Sequence, residues 1–140
     1  MRVYLDANIL FSAAKTSGAI RALLRDLRSA GHELVSGPIA IAEAKRNLEN
    51  KAPGHEKDWA STLKGIHALP TIATHSLPKK AQVLLPEKDQ GILAEAISAS
   101  CQILCTGDQR HFGALMGKDF NGVVPLTPLE TARQLLAPPS

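Results

Sequence analysis

Five short apolar runs, separated by longer amphipathic stretches, constrain this chain more than any other feature. Residues 2–5 (RVYL) stop at Asp6, and 33–35 (ELV), a stretch near 71–73, 102–105 (QILC) and Val123 to Leu126 follow. Runs this short, bounded by turn residues, read as buried strands. Between the first two, Ile20, Leu23, Leu24 and Leu27 recur at i, i+3, i+4 and i+7. Arg21, Arg25 and Arg28 lie on the opposite side and Gly31 is a stop, so this segment reads as an amphipathic helix.

Ser36-Gly37-Pro38 turns into a second helix over roughly 39–50, which Pro53-Gly54 breaks. A further helix is expected over about 56–67, and residues 76–86 (SLPKKAQVLLP) read as a loop crossing a sheet edge. Pro86 opens another helix, in which Ile92, Leu93, Ala96 and Ile97 form one apolar face. Thr127 caps a closing helix, and residues 137–140 (APPS) read as a frayed, disordered tail. Strands alternating with helices through short connections imply an α/β fold, a mostly parallel sheet with helices on both faces. No internal repeat or low-complexity block interrupts it. A length of 140 residues suits one domain, expected over 1–136.

Composition matters at three points. Aromatics make up only 4%, which argues against nucleobases stacked on an aromatic sheet. The net charge of +3 permits a polyanionic partner without requiring one. Cys101 and Cys105, if on one strand, stand about 13 Å apart at the usual rise per residue. That exceeds the roughly 7 Å limit for a disulfide, so reduced thiols and a cytoplasmic setting are expected. Asp6, Asn8 and Lys15 interrupt any signal-like N-terminal run, and no apolar stretch is long enough for a bilayer.

In open α/β sheets the ligand sits beyond the carboxyl ends of the strands, where strand order reverses. Asp6 directly follows the first strand, and Asp108 follows the run 102–105 through Thr106-Gly107. Asp89 lies in the first turn of its helix, and Glu43 stands among Ala40, Ile41, Ala42 and Ala44. Each has an ordinary explanation: a helix-start acid for Asp89, a turn or N-cap for Asp108, a solvated position for Glu43. Asp6 is harder to dismiss, because an acid ending a buried strand is costly unless bonded or bound to a cation. Gathered together, carboxylates repel, and a divalent cation relieves the repulsion. Oxygen ligands of this kind suit Mg²⁺ or Mn²⁺ rather than zinc. Such ions activate water and offset charge on phosphoryl oxygens.

The run Val3-Tyr4-Leu5-Asp6-Ala7-Asn8-Ile9-Leu10 resembles the opening of PIN-domain proteins. Ile41-Ala42-Glu43 is similar to their second acidic position, and Asp89 to Phe112 to their third acid, helix, strand and Thr-Gly-Asp turn. Val124-Pro125-Leu126-Thr127-Pro128 also fits, so the resemblance spans nearly the whole chain. It implies a three-layer α/β/α PIN-like fold with five strands in the order 3-2-1-4-5. It also implies a Mg²⁺- or Mn²⁺-dependent ribonuclease holding its cation with Asp6, Glu43, Asp89 and Asp108, supported by Asn8 and Thr106. Small members are commonly toxins of VapC type, which pair with an antitoxin protein and often form homodimers. The family's extra acid after Thr-Gly-Asp is missing, since Gln109, Arg110 and His111 come next. Asp119 could replace it or be a loop residue, so one cation is expected and a second is in doubt.

His111 reads as a proton donor, a phosphate contact or plain packing beside Phe112. Arg21, Arg25, Arg28, Lys45, Arg46, Lys79 and Lys80 could touch phosphates or simply be solvated. Two rivals stand beside the nuclease. A haloacid-dehalogenase-type phosphatase would want a second aspartate where Asn8 stands. A non-catalytic PIN-like module would bind RNA or protein without cutting.

Overall fold

The computed structural model describes residues 1–70 and 77–136. The elements run β1 (Arg2–Leu5), α1 (Ala7–Lys15), α2 (Ala19–Ser29), β2 (Glu33–Ser36), α3 (Pro38–Lys51), α4 (Glu56–Lys64) and β3 (His67–Ala68). Then follow α5 (Lys79–Leu84), α6 (Glu87–Ser98), β4 (Ile103–Cys105), α7 (Gln109–Phe112), a 3₁₀ turn (Gly113–Leu115), β5 (Val124–Leu126) and α8 (Pro128–Leu136). The five strands form one sheet in the order β3-β2-β1-β4-β5, and every pairing is parallel.

β1 is the middle strand, and its burial reveals the layers. Consecutive strand residues point to opposite faces. Val3, Tyr4 and Leu5 are all fully buried, so both faces of the sheet are covered. Leu10, Leu27, Leu34, Ile92, Leu93 and Leu104 extend this into a continuous core of aliphatic side chains. Phe112 is its one fully buried phenylalanine.

Three local expectations change. Residues 7–15 form a helix, α1, beyond those expected from the sequence; Ile9, Leu10, Ala13 and Ala14 make its buried stripe. Asp6 starts this helix, its carboxylate accepting from the Ala7 amide at 2.7 Å. The helix expected over 56–67 ends at Lys64, capped by Gly65. His67 and Ala68 then form the edge strand β3, both exposed, held by backbone pairing to Val35 and Ser36. A two-residue exposed strand leaves no hydrophobic pattern to read. The strand expected near 71–73 and the tail 137–140 lie outside the described residues.

The third change concerns 76–86. Lys79–Leu84 is a helix, α5, seated by buried Leu77, Ala81 and Leu85 and packed against α6 and the 3₁₀ turn. Gln90 secures it from α6, donating to the Leu85 carbonyl at 3.0 Å. The two lysines and the exposed Val83 hide the helical period in sequence.

Candidate active site

Strand register builds the site. β1 lies between β2 and β4, the point where the chain reverses its direction of travel across the sheet. Leu5 pairs with Cys105, so the next residue on each strand, Asp6 and Thr106, emerges beside the other. The Thr106 hydroxyl donates to Asp6 Oδ2 at 2.7 Å, and Thr106 itself is fully buried. Asn8 Nδ2 donates to the same oxygen at 3.2 Å, while Asn8 Oδ1 accepts from the Gly107 amide at 2.8 Å. Asn8 thus ties the start of α1 to the Thr-Gly-Asp turn.

Asp6 is 5% exposed, and burial raises its carboxyl above the usual range. The Thr106 and Ala7 hydrogen bonds oppose that rise, while the charges of Glu43 and Asp108 add to it. The turn beyond β4 is equally constrained. The Asp108 amide donates to Thr106 Oγ1 at 3.1 Å, and Asp108 N-caps α7 by accepting from the His111 amide at 3.1 Å. Asp108 is therefore both a turn residue and a cap, and this fixes its carboxylate.

Asp89 comes from the first turn of α6 and is 8% exposed. Burial raises its carboxyl, and the nearby His111 and Lys88 pull it back. His111 Nδ1 lies 2.8 Å from Asp108 Oδ2 and 3.2 Å from Asp89 Oδ2. One ring nitrogen carries at most one hydrogen, and Asp108 receives it. Among the described residues, Asp89 Oδ2 is left buried without a hydrogen-bond partner. Such a group is expensive to keep unless something else fills the role of partner.

A cleft of about 480 Å³ opens over these residues, lined by Asp6, Asn8, Glu43, Asp89, Gly107 and Asp108. All four expected acids therefore face one space. They are not equivalent within it. Single donor atoms of Asp89, Asp108 and His111 come within 4.8 Å of one another, making a group able to hold a metal ion. Asp6 and Glu43 lie outside that tight group. Glu43, half-buried on α3, makes no side-chain hydrogen bond among the described residues. Asp119 is elsewhere: exposed, it accepts from the Gly122 amide at 2.8 Å and closes a turn with left-handed Asn121 and Gly122.

The basic residues also sort themselves. Arg21 donates to the carbonyls of Ala13 and Ala14 at 2.8 and 3.1 Å, closing the end of α1. It is a structural cap. The cations that reach the cleft are Lys51 and Lys88, neither of which stood out in sequence. The signal for the first was present: Glu43, Asn47 and Lys51 recur every four residues and form one stripe of α3 facing the cleft.

No family model and no curated protein matches this chain. A chain in the crystal structure of VapBC2 from Rickettsia felis, bound to a DNA fragment from their promoter, does match in three dimensions. The TM-score is 0.66 at 14% identity, covering 91% of this chain and 98% of that one. The fold is PIN-like. At that identity the likeness speaks for the fold alone, and chemistry must come from the cleft. Cys101 and Cys105 lie apart from it as free, buried thiols, both pushed up to about 11 by burial. No helix among the described residues is long and apolar enough to cross a membrane.

Proposed function

We propose that this chain, acting as a single domain over residues 1–136, is a metal-dependent ribonuclease and the toxin of a toxin–antitoxin pair. The observation that carries the reading is Asp89 Oδ2, buried and unpartnered among the described residues beside Asp108 and His111, where Asp6, Glu43, Asp89 and Asp108 line one cleft. The donor set fits a divalent cation of the Mg²⁺ or Mn²⁺ kind. Asp89 and Asp108 would hold it, with Asp6 and Glu43 completing its surroundings directly or through water. Such a cation lowers the pKa of water and offsets charge on phosphoryl oxygens when bound.

The chain's own residues supply the rest. Lys51 and Lys88 at the cleft draw in the phosphate backbone. Glu43, whose carboxylate makes no hydrogen bond among the described residues, orients the attacking water and accepts its proton. Asn8 and Thr106 donate to Asp6 and fix its carboxylate in place beside the cation site. By the resemblance to PIN-domain nucleases, water attack would leave a 5′-phosphate; a 2′,3′-cyclic product would show that the RNA 2′-hydroxyl attacked instead.

Asn8 also weakens the phosphatase alternative. It donates to Asp6 rather than offering a second acid two residues on. The three-dimensional likeness to a VapBC2 chain supports an antitoxin protein as partner, and a homodimer remains part of the reading. The test is incubation of purified protein with single-stranded and structured RNA, with Mn²⁺ or with EDTA. Cleavage should need the ion and disappear in Asp108→Asn. Persistent cleavage in EDTA, or an unchanged Asp108→Asn variant, refutes the nuclease. Binding without cleavage would make the chain a non-catalytic module.

A further inference from the structure

The set of atoms around Asp89 is not all oxygen, and that changes which ion belongs there. His111 Nδ1 stands 2.8 Å from one carboxylate oxygen and 3.2 Å from another. Neighbouring donors around a six-coordinate ion with bonds of about 2.1 Å lie roughly 3 Å apart, and opposite ones about 4.2 Å. The two histidine–carboxylate separations match neighbouring donors, and all three donor atoms lie within 4.8 Å of one another. The ring cannot drift far, because the His111 backbone amide is bound to Asp108 Oδ1 at 3.1 Å. The residue belongs to a cap whose other end is itself in the donor set.

A packing role for His111 would put the ring against apolar neighbours. Instead, its nitrogen bridges two acids, and one of these keeps an unpartnered buried oxygen. We infer that His111 is a nitrogen ligand of the cation, making this an aspartate–aspartate–histidine centre that favours first-row transition ions over Mg²⁺. The inference rests on the nuclease reading above only in requiring that a cation binds at this cleft.

Imidazole suits transition ions, whereas Mg²⁺ prefers oxygen donors and retains its waters. Without the cation, the Nδ1 hydrogen occupies the space between the two acids and offsets part of their repulsion. Cation entry exchanges that hydrogen for a bond from the Nδ1 lone pair. The displaced proton passes to solvent, which the 27%-exposed side chain allows. No redox change is involved.

The experiment uses the metal-free protein titrated with Mn²⁺ and followed by electron paramagnetic resonance, with Mg²⁺ as competitor. Electron spin-echo modulation of the bound Mn²⁺ should carry a nitrogen-14 signal that His111→Ala removes. The same change should weaken Mn²⁺ binding at least about tenfold, the scale of losses at metal sites. Mg²⁺ affinity should change less than about threefold, since its preferred donors remain. Circular dichroism establishes that the variant is folded; if it is not, the nitrogen signal of the unaltered protein decides alone. Tight Mn²⁺ binding without a nitrogen signal overturns the histidine ligand and leaves the nuclease standing. Failure of Mn²⁺ to bind, or binding that survives Asp108→Asn, overturns both.

Discussion

Glu95 offers the most exacting test of the physical reasoning, because it is a buried acid outside the candidate site. It is 5% exposed on α6, accepts from the hydroxyl of fully buried Tyr4, and accepts from the Ile39 amide at 3.3 Å. Ile39 lies in the first turn of α3, whose N-cap residue Gly37 has no side chain to cap with. Glu95 does that work from another helix. The missing side chain of Gly37 is what admits it: a Cβ there would lie 2.2 Å from Glu95 Oε1.

Glu95→Ala therefore strands the Tyr4 hydroxyl in the core and frees the Ile39 amide. A buried unpaired group costs about 1–3 kcal/mol, and the half-exposed amide costs less, so about 2–4 kcal/mol is expected. At roughly 3 °C per kcal/mol for this chain length, Tm should fall by about 6–12 °C. Glu95→Gln separates hydrogen bonding from charge. Its carbonyl can accept from Ile39 and its amide can donate to the Tyr4 oxygen.

The pH dependence provides a sign. Burial raises the Glu95 carboxyl above its ordinary value of 4.5, against the Tyr4 and Ile39 hydrogen bonds. The folded state then holds the proton more tightly than the unfolded chain. This group's contribution is fully present below about 4.5, the usual carboxylate range, and is lost as pH rises through the folded value. Glu95→Gln should match or exceed the parent's stability at neutral pH, and its advantage should shrink as pH falls toward that range. Urea unfolding of both proteins across pH gives the comparison directly. A Gln variant as damaged as the Ala variant, or a difference independent of pH, would refute this account of the pair.

Other outcomes follow from the same contacts. Gly37→Ala should lose more than about 1 kcal/mol in urea unfolding, because its Cβ displaces the Glu95 carboxylate from the α3 start. Thr106→Val removes the 2.7 Å hydrogen bond to Asp6 Oδ2 and should cost about 1–3 kcal/mol by the same measurement, with cleavage reduced. Lys51→Ala with Lys88→Ala should weaken RNA binding for every sequence, and lower the slope of log affinity against log salt by about 1.4. Cys101 and Cys105, buried and with thiols raised to about 11, should resist alkylation at neutral pH until the chain is unfolded.

What could be read from the sequence was what repeats or sits at a break. The runs 2–5, 33–35, 102–105 and Val123–Leu126 foretold four strands, and Asp6 and the Thr-Gly-Asp turn marked where two of them end. The helix of 7–15 carries its buried stripe in the sequence, but Asp6 and Asn8 break the apolar pattern at its start. β3 was not legible, because its two exposed residues are held by backbone bonds that any sequence can make. α5 lost its period to surface lysines and an exposed valine.

Within the site the division is similar. The sequence by itself determined that acids stand at strand and helix ends, where an α/β sheet collects a ligand. Only the tertiary structure decided how they are used. Parallel register brought Thr106 against Asp6, and the packing of α6 beside α7 set Asp89 across from His111. It also left Asp89 Oδ2 without a partner, turned Lys51 into the cleft, and lent Glu95 to a helix with no cap of its own. Each joins residues distant in the chain through side-chain directions that no local period encodes. Periodicity reports which face of an element is buried, and the sheet alone fixes which faces meet.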